Sequence, residues 1–224
     1  MEVLTLSFTT FLKFCASTPR GKISAFRTFQ TPGGYDFYKV LKKLAAGLAA
    51  KQISLAEAKD QIAEIKQLPE RKHTLNAIER FHAWLADKHV EFATPPKRTF
   101  SSPSGLIKIR LEPELAFKNA EGTISVLYIW NLDRPELSTD LAGQGLRLLM
   151  DKVIGEHFEF GLLDLRKSKV IGDEALSAAS DARLQANIAI AEQTWKDLNT
   201  PNLSIEDTLT HIAALKLPPA PPVA

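Results

Sequence analysis

Cysteine is nearly absent. The chain of 224 residues carries one, Cys15, beside only two methionines. A single thiol cannot close an intramolecular disulfide and has no second thiolate with which to build a zinc site, so nothing in the sequence calls for an oxidising compartment. Long apolar runs are also missing. The N-terminal stretch MEVLTLSFTTFLKFC has an acid at its second position, no basic start, and two threonines and a lysine breaking its apolar residues. It therefore fails as a signal peptide or a membrane span and reads as an amphipathic helix. A cytoplasmic protein with no membrane partner is the expectation. The sequence holds no Gly-x-x-x-x-Gly-Lys-Ser/Thr loop, no nucleophile elbow and no Gly-x-Gly-x-x-Gly opening a helix after a strand. Gly143-Gln144-Gly145 falls inside a helical pattern behind an acidic cap, which repels a phosphate.

What is present is ordinary for a globular protein: 45% hydrophobic and 24% charged residues. The net charge of +2 is unevenly shared. Residues 1–90 hold 14 Lys and Arg against 8 Asp and Glu, and residues 91–224 hold 14 against 18. Such a split can mark a basic surface for phosphates or acidic partners, beside the simpler reading of solvated helix lysines.

The first ninety residues read as helices. Phe8, Phe11, Leu12 and Cys15 share one helical face behind Ser7 as N-cap, with Pro19 as a stop signal. PRGKISAFRTFQTPGG, with two prolines and three glycines, reads as a loop. A helix follows from Tyr35, another from the capping box Ser54-Leu55-Ala56-Glu57 to about Leu68, and a third after Pro69 with Leu75, Ile78, Phe81 and Leu85 on its apolar stripe. Beyond the Pro/Ser-rich residues 92–104, the period changes to two. Ile107, Ile109 and Leu111 alternate with Lys108 and Arg110, and ELAFK, a NAEG turn and ISVLYIWNL form a hairpin. A helix capped by Ser138 or Thr139 carries Gly143 and Gly145, which point to close packing. A strand pair turning at Arg166 to Ser168, a long helix over 173–198 and a last helix opened by Ser204 and Asp207 complete the chain.

The reading is an α/β (α+β) fold: a helical subdomain over 1–91, a linker over 92–104, and an α/β subdomain over 105–217. The second is a small mixed sheet of four or five strands with flanking helices. A proline-rich tail over 218–224 is expected to be extended or disordered.

Over residues 105–171, the order strand, strand, turn, central strand, helix, strand resembles the core of the PD-(D/E)XK nucleases, including RecB-like enzymes. Pro113-Glu114-Leu115 sits where such enzymes place the acid of their first motif, and Gln144 sits where RecB-like members carry a glutamine. The resemblance implies a nuclease-like fold and a place in a prokaryotic nucleic-acid-processing or defence assembly. It breaks on the central strand. An active member reads acid, any residue, lysine there, to hold Mg²⁺ and support the attacking water. Here the triplets are Val126-Leu127-Tyr128 and Tyr128-Ile129-Trp130.

Three functional readings follow. The first is a non-catalytic binding or accessory subunit, with no cofactor or metal, that joins another protein subunit and contacts nucleic acid. Its candidate surface is Arg20, Lys22, Phe26, Arg27 and Phe29, extended by Lys39, Lys42 and Lys43. The second is a Mg²⁺-dependent nuclease with an unorthodox site drawn from Glu112, Glu114, Asp133 and Asp140. The third is a structural protein-interaction subunit. Glu79 and His82 have the Glu-x-x-His spacing of di-iron bundles, but without a second copy they read as a helix surface, and His82 and His89 are too far apart to share an ion.

Overall fold

Strict alternation gives strand β4, Ile107–Leu111, whose odd positions are buried and whose Lys108 and Arg110 are exposed. The computed structural model describes residues 2–29, 38–88, 90–119, 121–152 and 158–218. β4 is the middle of a three-stranded sheet. One neighbour is β1, Leu4–Ser7, which runs parallel to it, and the other is β3, Arg98–Ser101, which runs antiparallel. The N-terminal residues thus depart from the expected helix. Leu4 and Leu6 alternate with Thr5 and Ser7 and satisfy a strand before Ser7 caps helix α1, Phe8–Cys15, accepting from the Thr10 N–H.

The expected loop after α1 is helix α2, Pro19–Phe29. Thr18 accepts from the Gly21 N–H, and Pro19 takes the first helical position, where its missing N–H leaves no bond unmade. Pro19 therefore ends one helix and opens the next. The remaining helices of this half are α3 (Lys39–Ala49), α4 (Leu55–Ala63) and α5 (Leu68–Ala86). The Ser54–Glu57 capping box is present at the start of α4. Pro69 sits in the first turn of α5, so the break between these helices falls earlier than Pro69 suggests. Gly33, Gly34, Tyr35, His89 and the tail from 219 lie outside the described residues.

A five-stranded mixed sheet carries the rest, in the order β2 (Glu91–Phe92), β5 (Leu115–Lys118), β6 (Ile124–Trp130), β7 (Phe158–Asp164) and β8 (Lys169–Ile171). β2 straddles the start of the expected linker and β3 falls inside it. β5 and β6 form the expected antiparallel hairpin, and helix α6, Thr139–Lys152, crosses over to bring β7 parallel to β6. After the turn at Arg166 to Ser168 and a short 3₁₀ turn, Asp173–Ala175, come α7 (Ala178–Leu198) and α8 (Ile205–Ala214), both with capping boxes.

Alternate residues of β6 feed two cores. Val126, Tyr128 and Trp130 enter the larger one, built from both sheets with α1, α2, α6 and α7, whereas Leu127 and Ile129 enter the smaller one under α3, α4 and α5. The packing does not divide the chain near residue 91. β1, α1 and α2 belong with the C-terminal elements, and only α3 to α5 form a helical layer of their own.

Close approach at two glycines fixes α6. A Cβ on Gly143 would lie 2.2 Å from the Ala175 carbonyl oxygen, and one on Gly145 would lie 2.9 Å from Phe8 Cζ. Gly143→Ala should destabilise the protein by about 2 kcal/mol in urea unfolding, through overpacking. An exposed helix glycine would instead gain about 1 kcal/mol from alanine, and that gain would contradict the packing described.

Candidate functional site

Polar side chains gather where β6 leaves the sheet. Glu114 precedes β5, so the antiparallel register sets it beside the end of β6, where its Oε2 accepts from the Ile129 N–H at 2.9 Å. Lys42, on the sheet-facing side of α3, brings Nζ to 2.8 Å from Glu114 Oε1. The Glu114 side chain is 4% exposed and that of Lys42 28%. Burial raises the Glu114 pKa above the ordinary carboxyl value, while Lys42 and the Ile129 N–H pull it back. On the same edge, Asn131 Nδ2 lies 3.4 Å from the His73 ring nitrogens, and Tyr38 meets the His73 ring edge-on at 5.5 Å. A void of about 10 Å³, room for one water, lies among Thr9, Tyr38, Lys42 and Asn131.

The carboxylates singled out in the sequence go to different places. Glu112 is exposed at the end of β4. Glu114 is held by Lys42. Asp133, just past β6, pairs with Arg166 at 2.8 Å. Asp140, in the first turn of α6, accepts from Arg183 at 2.6 Å and Gln144 at 3.0 Å. Three of the four thus have their own cation, each on a separate element. Among the described residues no three His, Cys, Asp or Glu side chains are grouped to hold a metal ion. Beside Asp133, a charged crevice of about 290 Å³ opens at the C-terminal ends of β6 and β7, where parallel strands commonly receive ligands. Its lysine and arginines face acids in near balance: Arg166 with Asp133, and Lys167 with Glu136. Asp164 accepts from the Arg166 and Lys167 N–H groups and so shapes the turn.

The proposed basic clamp comes apart on α2. Arg20 and Arg27 are exposed, and Arg20 reaches Glu206 at 3.5 Å. Lys22 is 1% exposed and Phe26 fully buried, which withdraws both from any surface partner. Helical geometry is the cause: residues 22, 23 and 26 share the face that packs on α7, whereas a loop would have left them free. The Lys22 Nζ donates to Asn187 Oδ1 at 2.5 Å and lies 5.0 Å over the Phe14 ring. Phe26 stacks on Phe14 at 4.7 Å. The Phe29 side chain lies outside what the structure describes. Lys39 and Lys43 are exposed on α3, but Lys42 between them turns to Glu114.

A polar chain runs through the larger core from Lys22. Asn187 Nδ2 donates to Gln144 Oε1 at 2.9 Å, and Gln144 leads through Asp140 to Arg183. Burial lowers the Lys22 pKa, and beside it the Cys15 thiol is pushed up to about 12 by burial. A protonated thiol is a poor nucleophile, and Cys15 is half-buried against the larger core. Sequence reading missed Asn187, Asn131 and His73. Asn187 was visible as the polar residue inside the stripe of Leu184, Ile188 and Ala191; the Asn131–His73 contact spans 58 residues and had no local signal.

Two outcomes follow. Lys42→Met leaves Glu114 buried without its cation and should cost about 3 kcal/mol near neutral pH. Because the folded pKa of Glu114 stands above its unfolded value, its favourable contribution is complete below the unfolded pKa and is lost as pH rises through the folded one. The deficit should therefore shrink as pH falls towards the carboxyl range, and a deficit that grows on acidification would contradict the assignment. Ellman's reagent at mildly alkaline pH should label the half-buried Cys15 more slowly in the native protein than in denaturant; equal rates would contradict the raised pKa.

No protein-family model matches the chain, and no match to a curated protein was found.

Proposed function

We propose that the protein is a non-catalytic binding subunit that serves as an accessory component of a nucleic-acid-processing assembly. One observation carries the reading: Glu114, Asp133 and Asp140 are each neutralised by a different lysine or arginine on a different element. Phosphodiester hydrolysis by metal needs carboxylates converging on one cation. Two of these pairs, Lys42–Glu114 and Arg183–Asp140, are largely buried and tie α3 to the sheet and α7 to α6, while the exposed Arg166–Asp133 pair joins β7's turn to the end of β6. The nuclease-like order of elements is then a scaffold that retains a binding role, while the acid-x-lysine positions of β6 are given over to the two cores.

Incubation of the purified chain with labelled DNA and RNA in Mg²⁺ or Mn²⁺ tests this reading, with binding read by mobility shift and product lengths on a denaturing gel. Bound but intact nucleic acid is expected. Cleavage abolished by Glu114→Gln, in a variant that keeps its native circular dichroism, would overturn the non-catalytic assignment.

A further inference from the structure

We infer that the outward face of the three-stranded sheet binds the phosphodiester backbone of a nucleic acid through Lys108 and Arg110 of β4. The inference rests on the nucleic-acid reading above and moves its contact surface from the α2 and α3 candidates, Lys39 and Lys43 included, to β4. Register builds the surface. Lys108 stands between Thr5 of β1 and Ser101 of β3, and Arg110 between Ser7 of β1 and Thr99 of β3. Two parallel rows result: Lys108 is flanked on both sides by exposed hydroxyls, and Arg110 by that of Thr99 and by Ser7, whose hydroxyl caps α1. Lys108, Arg110, Thr5, Thr99 and Ser101 are exposed and Ser7 is partly so, while Leu4, Leu6, Phe100, Ile107, Ile109 and Leu111 fill the reverse face.

Charge and hydroxyls together name the partner. Lysine, arginine, serine and threonine are the side chains that contact phosphate and sugar. Successive outward residues of a strand stand about 6.8 Å apart, which lets neighbouring cations reach neighbouring phosphates. Neither Lys108 nor Arg110 makes a side-chain hydrogen bond or ion pair among the described residues, in contrast to Lys42, Arg166 and Arg183. Phosphate contact therefore breaks no existing pair. Glu112, two residues beyond Arg110, is the acid that follows on this strand, and the exposed Lys97 and Arg98 lead into β3. Phe100, the aromatic residue of β3, points into the core, so these three strands offer no ring for base stacking. Backbone binding without sequence preference is the consequence.

Fluorescence anisotropy with labelled single- and double-stranded DNA across a salt series tests the inference. Wild-type protein is compared with the pair Lys108→Ala, Arg110→Ala and with the pair Lys39→Ala, Lys43→Ala. The β4 pair should weaken binding about tenfold or more and flatten the slope of log affinity against log salt by roughly 1.4 to 1.8, two contacts at 0.7 to 0.9 each. The α3 pair should bind much as wild type does. All four side chains are exposed, so unchanged melting should accompany both variants. Wild-type binding that the β4 pair leaves intact would overturn this surface and spare the nucleic-acid reading. Failure of the wild type to bind either DNA form here, together with no shift of RNA in the mobility assay above, would overturn both.

Discussion

A strand covered on both faces has no place along its length for a group charged at neutral pH, because burying such a charge without a partner is too costly. β6 obeys that constraint: from Val126 to Trp130 it is apolar or aromatic, with alternate residues entering separate cores. Polar chemistry is displaced to the strand's end. There Glu114 takes the Ile129 N–H, Asn131 meets His73, and Lys42 descends from α3. The location of the polar cluster and the lack of an acid-x-lysine on β6 thus have one cause.

The same logic governs the deeper polar network. Lys22 of α2, Asn187 and Arg183 of α7, and Gln144 and Asp140 of α6 join three helices: Lys22 donates to Asn187, Asn187 to Gln144, and Gln144 and Arg183 both to Asp140. Its side chains are joined to one another, Asp140 Oδ1 being the buried atom of the set without a partner among the described residues, and such a network fixes which helices pack together. Gly143 and Gly145 act beside it, by letting α6 approach the 3₁₀ turn and α1 more closely than any side chain would permit. Charged residues inside this protein are joints between layers; those outside, on β4, remain available.

Much of the architecture was legible from local signals. The capping boxes at Ser54 and Ser204, the alternation of β4 and the β5–β6 hairpin all follow from residue type and spacing. Failures came where one residue served two elements or where a long-range partner decided the outcome. Pro19 read as a stop signal, yet it also starts α2, and with that helix Lys22 and Phe26 turn inward. Leu4–Ser7 became a strand because β4, about a hundred residues on, offers it an edge. The Lys42–Glu114 pair joins residues chosen from the sequence for opposite reasons, one as a surface cation and one as a catalytic acid. No local pattern records such a meeting.

Glu114 is the counter-ion of Lys42, in a pair that ties α3 to the sheet. A double-mutant cycle on Lys42 and Glu114, measured by urea unfolding with and without millimolar Mg²⁺, tests it most directly. The account predicts a coupling of about 1 to 3 kcal/mol that Mg²⁺ leaves unchanged. Additive single variants, or Mg²⁺ stabilisation of the wild type that vanishes with Glu114, would contradict it.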